Sequence, residues 1–111
     1  MNFTLSTGKT VNIYIDDVAG DGWYMYVGEN EAGKVIFAEH ARADWLVEKS
    51  DCAETADGIS QEEYAEICRR IDETVAALVL AAGGNLFRSN YGVDGHNIDN
   101  GIMRDFVEKV F

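Results

Sequence analysis

Apolar and polar residues alternate along the first forty positions. In "TVNIYID" (10–16), Val11, Ile13 and Ile15 fall on one face and Asn12, Tyr14 and Asp16 on the other, the period of two of a half-buried strand. "WYMYV" (23–27) sets Trp23, Met25 and Val27 against Tyr24 and Tyr26 in the same way. "FTL" (3–5) and "KVIFAEH" (34–40) supply two more strands, and turn signals separate the four: Gly8 in "TGK", "AGDG" (19–22) and "ENEAG" (29–33). Connections this short predict a meander of neighbouring antiparallel strands.

Beyond residue 58 the period changes. Tyr64, Ile67, Cys68, Ile71, Val75, Leu78, Val79 and Ala82 recur at helical spacing. Ser60 and Glu63 form the S-x-x-E pattern of a capping box, and Ile59 and Tyr64 occupy staple positions. Glu66 with Arg70 and Arg69 with Glu73 are spaced as i,i+4 pairs, and Gly83-Gly84 predicts the stop. The second half, "TVAALVLAA" (74–82), is apolar almost all round, which predicts a central helix. A last helix over about 98–110 carries a stripe of Ile98, Ile102, Phe106 and Val110, with Asn97 or Asp99 as its cap. "NLFRSNYGVDGHN" (85–97) reads as a loop with a short strand at Leu86 and Phe87 at most. "ARADWLVEK" (41–49) fits a short helix or a fifth strand, and a strand or irregular edge is the favoured reading; 51–58 reads as a surface loop. The expected fold class is α+β: an antiparallel sheet of four to five meandering strands packed against a central helix (about 61–82) and a C-terminal helix (about 98–110), in a single acidic domain over 1–111.

Charge changes the picture more than composition does. Twenty acids against nine bases give a formal charge of −11. Residues 11–67 hold 14 of the acids and three bases, so the whole imbalance sits there. Such a field repels nucleic acid and anionic membranes and attracts basic surfaces. No secretory signal is read at the start, and the longest apolar run is too short to span a bilayer, so a cytoplasmic location with reduced Cys52 and Cys68 is expected.

Catalytic and metal signatures are weak. Cys52, Cys68, His40 and His96 lack the paired spacing of structural zinc sites, and Cys68 falls on the apolar helix face as a core residue. "DGHNIDNG" (94–101) has the composition of a calcium loop but not its offsets, and reads as the turn into the last helix. "TGKT" (7–10) lacks the upstream glycine of a phosphate loop and reads as a hairpin turn. The acids around Cys52 would raise its thiol pKa, against a reactive thiolate. No cofactor, metal or enzymatic activity is therefore expected. A small enzyme using Cys52, His40 and His96 stays as an alternative, requiring a deep pocket that unites them.

What remains is the charge. Carboxylates two apart on a strand lie ~6.8 Å apart and those three or four apart on a helix about 5–6 Å, close to the phosphate repeat of a nucleic-acid strand. In size and charge the chain resembles phage-encoded antirestriction and anti-CRISPR inhibitors, and no motif contributes to the likeness. The resemblance implies an inhibitor or adaptor that mimics nucleic acid and binds a basic, nucleic-acid-handling protein. Its candidate contacts are Asp16, Asp17, Asp21, Glu29, Glu31, Asp51, Glu54, Asp57, Glu62 and Glu63, with Tyr24 and Tyr26 as aromatic contacts. Tyr14, Trp23, Tyr24 and Tyr26 are not expected to stack on bases, because Asp16, Asp17 and Asp21 flank them. The other alternative is a structural or oligomeric subunit joined through a face of Tyr14, Tyr24 and Tyr26.

Overall fold

A computed structural model of the chain describes residues 1–17, 23–49 and 58–111. The alternating stretches form the four expected strands: β1 (Asn2–Thr4), β2 (Thr10–Asp17), β3 (Tyr24–Glu29) and β4 (Val35–His40), hydrogen-bonded in sequence order with every pair antiparallel. The β1–β2 turn closes through the Leu5 N–H to the Lys9 carbonyl, with Gly8 at φ +91°. The β3–β4 turn is held by Asn30, whose Oδ1 accepts from the Ala32 and Lys34 N–H groups, the local bonding that makes Asn a turn residue. The "AGDG" turn and the loop over 51–57 lie outside the described residues.

Register decides which side of the sheet is the core. Cross-strand partners share a face, and Ile13 pairs with Gly28, Ile15 with Tyr26, and Gly28 with Phe37. Val11, Ile13, Tyr26 and Phe37 are buried on that face. Tyr26 is therefore core, not surface, which corrects its expected role as a contact. Tyr14 pairs with Val27 and so lies on the opposite face from Tyr24 and Tyr26. No common tyrosine face exists for an oligomer to use.

The helix α1 (Gln61–Ala81) begins as expected. The Ser60 side chain accepts from the Glu63 N–H, and the Glu63 carboxylate accepts from the Ser60 N–H. It ends in a Schellman motif: the Gly84 N–H bonds the Val79 carbonyl, the Gly83 N–H bonds the Leu80 carbonyl, and Gly83 adopts φ +82°. It is the central helix that the apolar pattern predicts, with its inner face in the core. Ile67, Cys68, Ile71, Val75, Ala76 and Val79 are buried, while Leu80 is exposed, as on a helix that covers one face of a sheet. The two i,i+4 pairs are replaced by tertiary contacts. Glu66 accepts the Ser6 N–H, Arg70 donates to the Thr4 carbonyl and lies over the Phe3 ring, and Glu73 takes a two-pronged bond from Arg88.

Arg88 belongs to an element that the sequence pattern understated. Residues 85–97 contain a full hairpin, β5 (Leu86–Ser89) and β6 (Gly92–His96), lying against α1. Its strands are short and mostly exposed, with Val93 alone among them buried, so little alternation is visible in the sequence. The last helix, α2 (Asn100–Val110), is capped by Asp99, which accepts from the Gly101 and Ile102 N–H groups. Its fully buried positions are Met103 and Val107, one residue on from the expected stripe, of which Ile98 and Phe106 still pack on the core while Ile102 is exposed. The helix is rotated by its contacts at both ends: the Asn100 carbonyl accepts from the Trp45 indole, and Phe111 packs edge-on against Tyr26.

Residues 41–47 form neither a helix nor a fifth strand. They fold as a tight turn with one bridge, Ala41 to Val47, and bury Trp45, Leu46 and Val47. Trp45 carries φ +69°, a left-handed conformation that a bulky residue adopts only when its surroundings impose it. They do so here: its carbonyl accepts from the Tyr26 hydroxyl, its ring lies 4.9 Å from that of Tyr24 at a tilt of 60°, and its indole N–H donates to the Asn100 carbonyl.

Two outcomes test this packing. A Cβ on Gly28 would stand 2.8 Å from Ile13 and 3.0 Å from Phe37, on the core face. Gly28→Ala should cost about 1–3 kcal/mol in urea unfolding, as overpacking does. Hydrogen bonds from Thr7, then the Ser60 N–H, then Lys9 hold the Glu63 carboxyl at a pKa of about 2. A group depressed in the folded state stabilises above its unfolded pKa and loses that contribution as pH falls through the folded one. Stability should drop between about pH 4.5 and about 2. Glu63→Gln should lower neutral-pH stability by about 1–2 kcal/mol and flatten that acid limb.

Candidate functional site: the open face of the sheet

With α1, α2 and the 41–47 turn all on one side, the opposite face of the four-stranded sheet has no described element packed on it. It presents Asn12, Tyr14 and Asp16 from β2, Met25, Val27 and Glu29 from β3, and Ala38 and His40 from β4. Trp23 continues the β3 alternation onto the same face, 62 % exposed, with its ring 5.8 Å from that of His40 in an edge-on contact. Val27, at the centre, is only 8 % exposed because its neighbours shelter it. The face is therefore an aromatic and apolar strip.

Carboxylates bound the strip at both ends. Asp16 pairs with Met25, and Glu29 stands four residues further along β3, ~13 Å away at the rise of a strand. The Tyr14 hydroxyl donates to Glu29 at 3.0 Å, and this bond to the carboxylate raises the tyrosine pKa first, ahead of burial and the charge of Asp16. Asp16 and Asp17 are exposed.

The remaining expected contacts do not converge. Asp17 points to the other face, near Tyr24, whose pKa is raised by burial and then by Glu108 and Asp17. Glu31 sits exposed in the β3–β4 turn, and Glu62 is exposed on the first turn of α1. Glu63 is buried: it accepts from Thr7 at 2.7 Å and from Lys9 at 3.0 Å, and so fastens α1 to the β1–β2 turn instead of meeting a partner. Asp21, Asp51, Glu54 and Asp57 lie outside the described residues. Of these described carboxylates, Asp16 and Asp17 thus lie at one end of β2 and β3, and Glu29 and Glu31 at the other. Trp23 and His40 are the surface residues of this site that charge-based reading missed; the signal for Trp23 was a tryptophan in phase with Met25 and Val27.

The groups considered for catalysis are dispersed. Cys68 is buried, and desolvation pushes its thiol to about 11. His96 is fixed between loops, its Nδ1 accepting from the Ile98 N–H and its Nε2 bonded to the Asp44 carbonyl at 2.7 Å, while His40 lies on the open face. Cys52 lies outside the described residues. Among the described residues no group of three or more His, Cys, Asp or Glu could hold a metal ion, and no helix is long and apolar enough to cross a membrane.

Set against known protein families, curated proteins and solved structures, the chain matches none of them.

Core and surface aromatics should separate cleanly. Trp23→Ala should change unfolding stability by less than about 0.5 kcal/mol, as exposed sites do. Tyr26→Phe leaves the Trp45 carbonyl without its donor and should cost about 1–3 kcal/mol in the same denaturation assay.

Proposed function

We propose that the protein is a binding module without catalytic activity of its own, which docks a basic, nucleic-acid-handling protein on the open face of its sheet. What carries the reading is one observation: Trp23 stands 62 % exposed on a face edged by Asp16 and Glu29, in a chain of net charge −11. Exposed tryptophan and tyrosine supply most of the affinity of protein contacts, because they bury large rigid surfaces. Rim carboxylates add attraction at a distance and set which partners approach. A partner that normally handles nucleic acid offers a basic groove, and an acidic protein seated in it acts as an inhibitor of the antirestriction or anti-CRISPR kind. The two acid-edged ends of the strip engage separate basic groups, in place of a continuous imitation of phosphates.

The test starts with capture from host lysate at low and high salt, followed by kinetics on the purified partner. Asp16→Lys and Glu29→Lys should slow association several-fold at low salt, and the difference should vanish at high salt. Trp23→Ala should speed dissociation about ten-fold with little change in association. Added DNA or RNA should compete. Unchanged rates in all three variants, or capture only of acidic proteins, would refute the reading.

A further inference from the structure

A concavity lies around the corner from the open face, where the start of β3, the 41–47 turn and the start of α2 meet. It has a volume of about 470 Å³, the size of a small-molecule site. Trp23, Tyr24 and Trp45 form its aromatic walls, and Arg42 and Arg104 supply two guanidinium groups. Among the described residues no carboxylate lines it, in a chain with 20 acids and nine bases. Carboxylates stand behind the lining, Asp44 on Arg42, Asp105 near Arg104 and Glu108 on Tyr24, so the lining itself presents the two bases.

The two arginines differ in freedom. Arg42 is held by Asp44 at 2.9 Å and by the Asp94 carbonyl at 3.2 Å, so it forms a fixed wall. Arg104 is half exposed, and its Nε has a loose contact of 3.8 Å with Asp105. Its terminal NH₂ groups donate no hydrogen bond among the described residues, leaving the fork for a ligand. The first amides of α2 are not available for that purpose, because Asp99 already takes those of Gly101 and Ile102. Trp45 is mostly buried and pinned, so it contributes a rigid floor, while the exposed Trp23 ring is the one on which a planar group can stack.

We infer that this hollow binds a small planar aromatic anion, its ring stacked against Trp23 and its charged group bonded by Arg104. A basic side chain is disfavoured there by the two arginines. A ring without charge gains the stacking alone, whereas a carboxylate or phosphate adds a charge-assisted, two-pronged bond to guanidinium. Trp23 borders both surfaces, but Arg104 lies off the open sheet face, so Arg104→Gln tests this site without disturbing the protein-docking reading.

Both tryptophans of the chain line the hollow, so intrinsic fluorescence reports on it directly. Two probe pairs separate the sources of the anion: nicotinate against nicotinamide, and adenosine 5′-monophosphate against adenosine. The expected result is saturable quenching below about 1 mM by at least one anionic member, with its neutral counterpart about ten-fold weaker or more. Whichever pair responds names carboxylate or phosphate as the group recognised. Arg104→Gln should reduce the anionic probe to the level of the neutral one while leaving the neutral probe unchanged, and Trp23→Ala should weaken both, read by calorimetry. The inference is overturned if no probe saturates, if charged and neutral members bind alike, if Arg104→Gln binds the anion as wild type does, or if inorganic phosphate alone gives the same response.

Discussion

Two buried carboxylates on α1 are what the rest of this structure depends on. Glu63 and Asp72 are the buried charged residues among those described, and both lie on α1. A carboxylate taken out of water is costly unless it is paired and hydrogen-bonded. Each of these is satisfied from a distant part of the chain. Glu63 draws in Thr7 and Lys9 from the β1–β2 turn as well as its own cap, and Asp72 accepts the Val47 N–H at 2.8 Å and the Lys49 ammonium at 2.7 Å. The helix is thus tied near its start to the first hairpin and at mid-length to the segment after β4. Apolar burial supplies the attraction between helix and sheet, but it has no preferred register. These bonds have one, and they set how α1 lies across the strands.

The same two residues alter the meaning of the acidity. A net charge of −11 suggests a surface function, yet part of the negative charge is internal architecture. Glu73 holds the second hairpin through Arg88, whose guanidinium lowers the carboxyl pKa, and Glu66 anchors the Ser6 backbone. Asp99 is used as a helix cap. The carboxylates free of such duties include Asp16 and Asp17 at one end of the sheet and Glu31 and Glu62 at the other. The protein therefore presents separated anionic edges around an apolar strip. That distribution suits a contact with an aromatic centre and steering charges better than a uniform anionic surface.

Asp72 also explains the shape of the turn after β4. With Val47 and Lys49 held to the helix and Ala41 bridged to Val47, residues 42–46 must reverse within a short span. Trp45 takes the left-handed conformation that this reversal needs, where glycine would be the unstrained choice. The indole is retained because it packs on Tyr24 and reaches α2 through Asn100. Strain at one residue thereby places the floor of the arginine-lined hollow and fixes the α2 start beside it.

Much of this was legible in the sequence, and the boundary has a physical cause. Alternation over 10–16 and 23–27 determined the strands, because the side-chain period of an extended chain is set locally. Ser60 with Glu63 and Gly83-Gly84 determined where α1 starts and stops, because caps are made by neighbours in sequence. The choice of core face was not local. Trp23, Met25 and Val27 are as apolar as Tyr24 and Tyr26, and only pairing with Ile13 and Ile15, under α1 and α2, turned the tyrosines inward and left the tryptophan outside. The tertiary partners of Glu63, Asp72, Glu66, Glu73 and Arg88 were equally invisible, since the chain separations they span run from 15 to 60 residues. The rotation of α2 onto Met103 and Val107, and the meeting of Trp23, Trp45, Arg42 and Arg104 in one hollow, were likewise decided by packing. Local chemistry chose the elements; burial of charge and register between strands chose which of their faces meet the solvent.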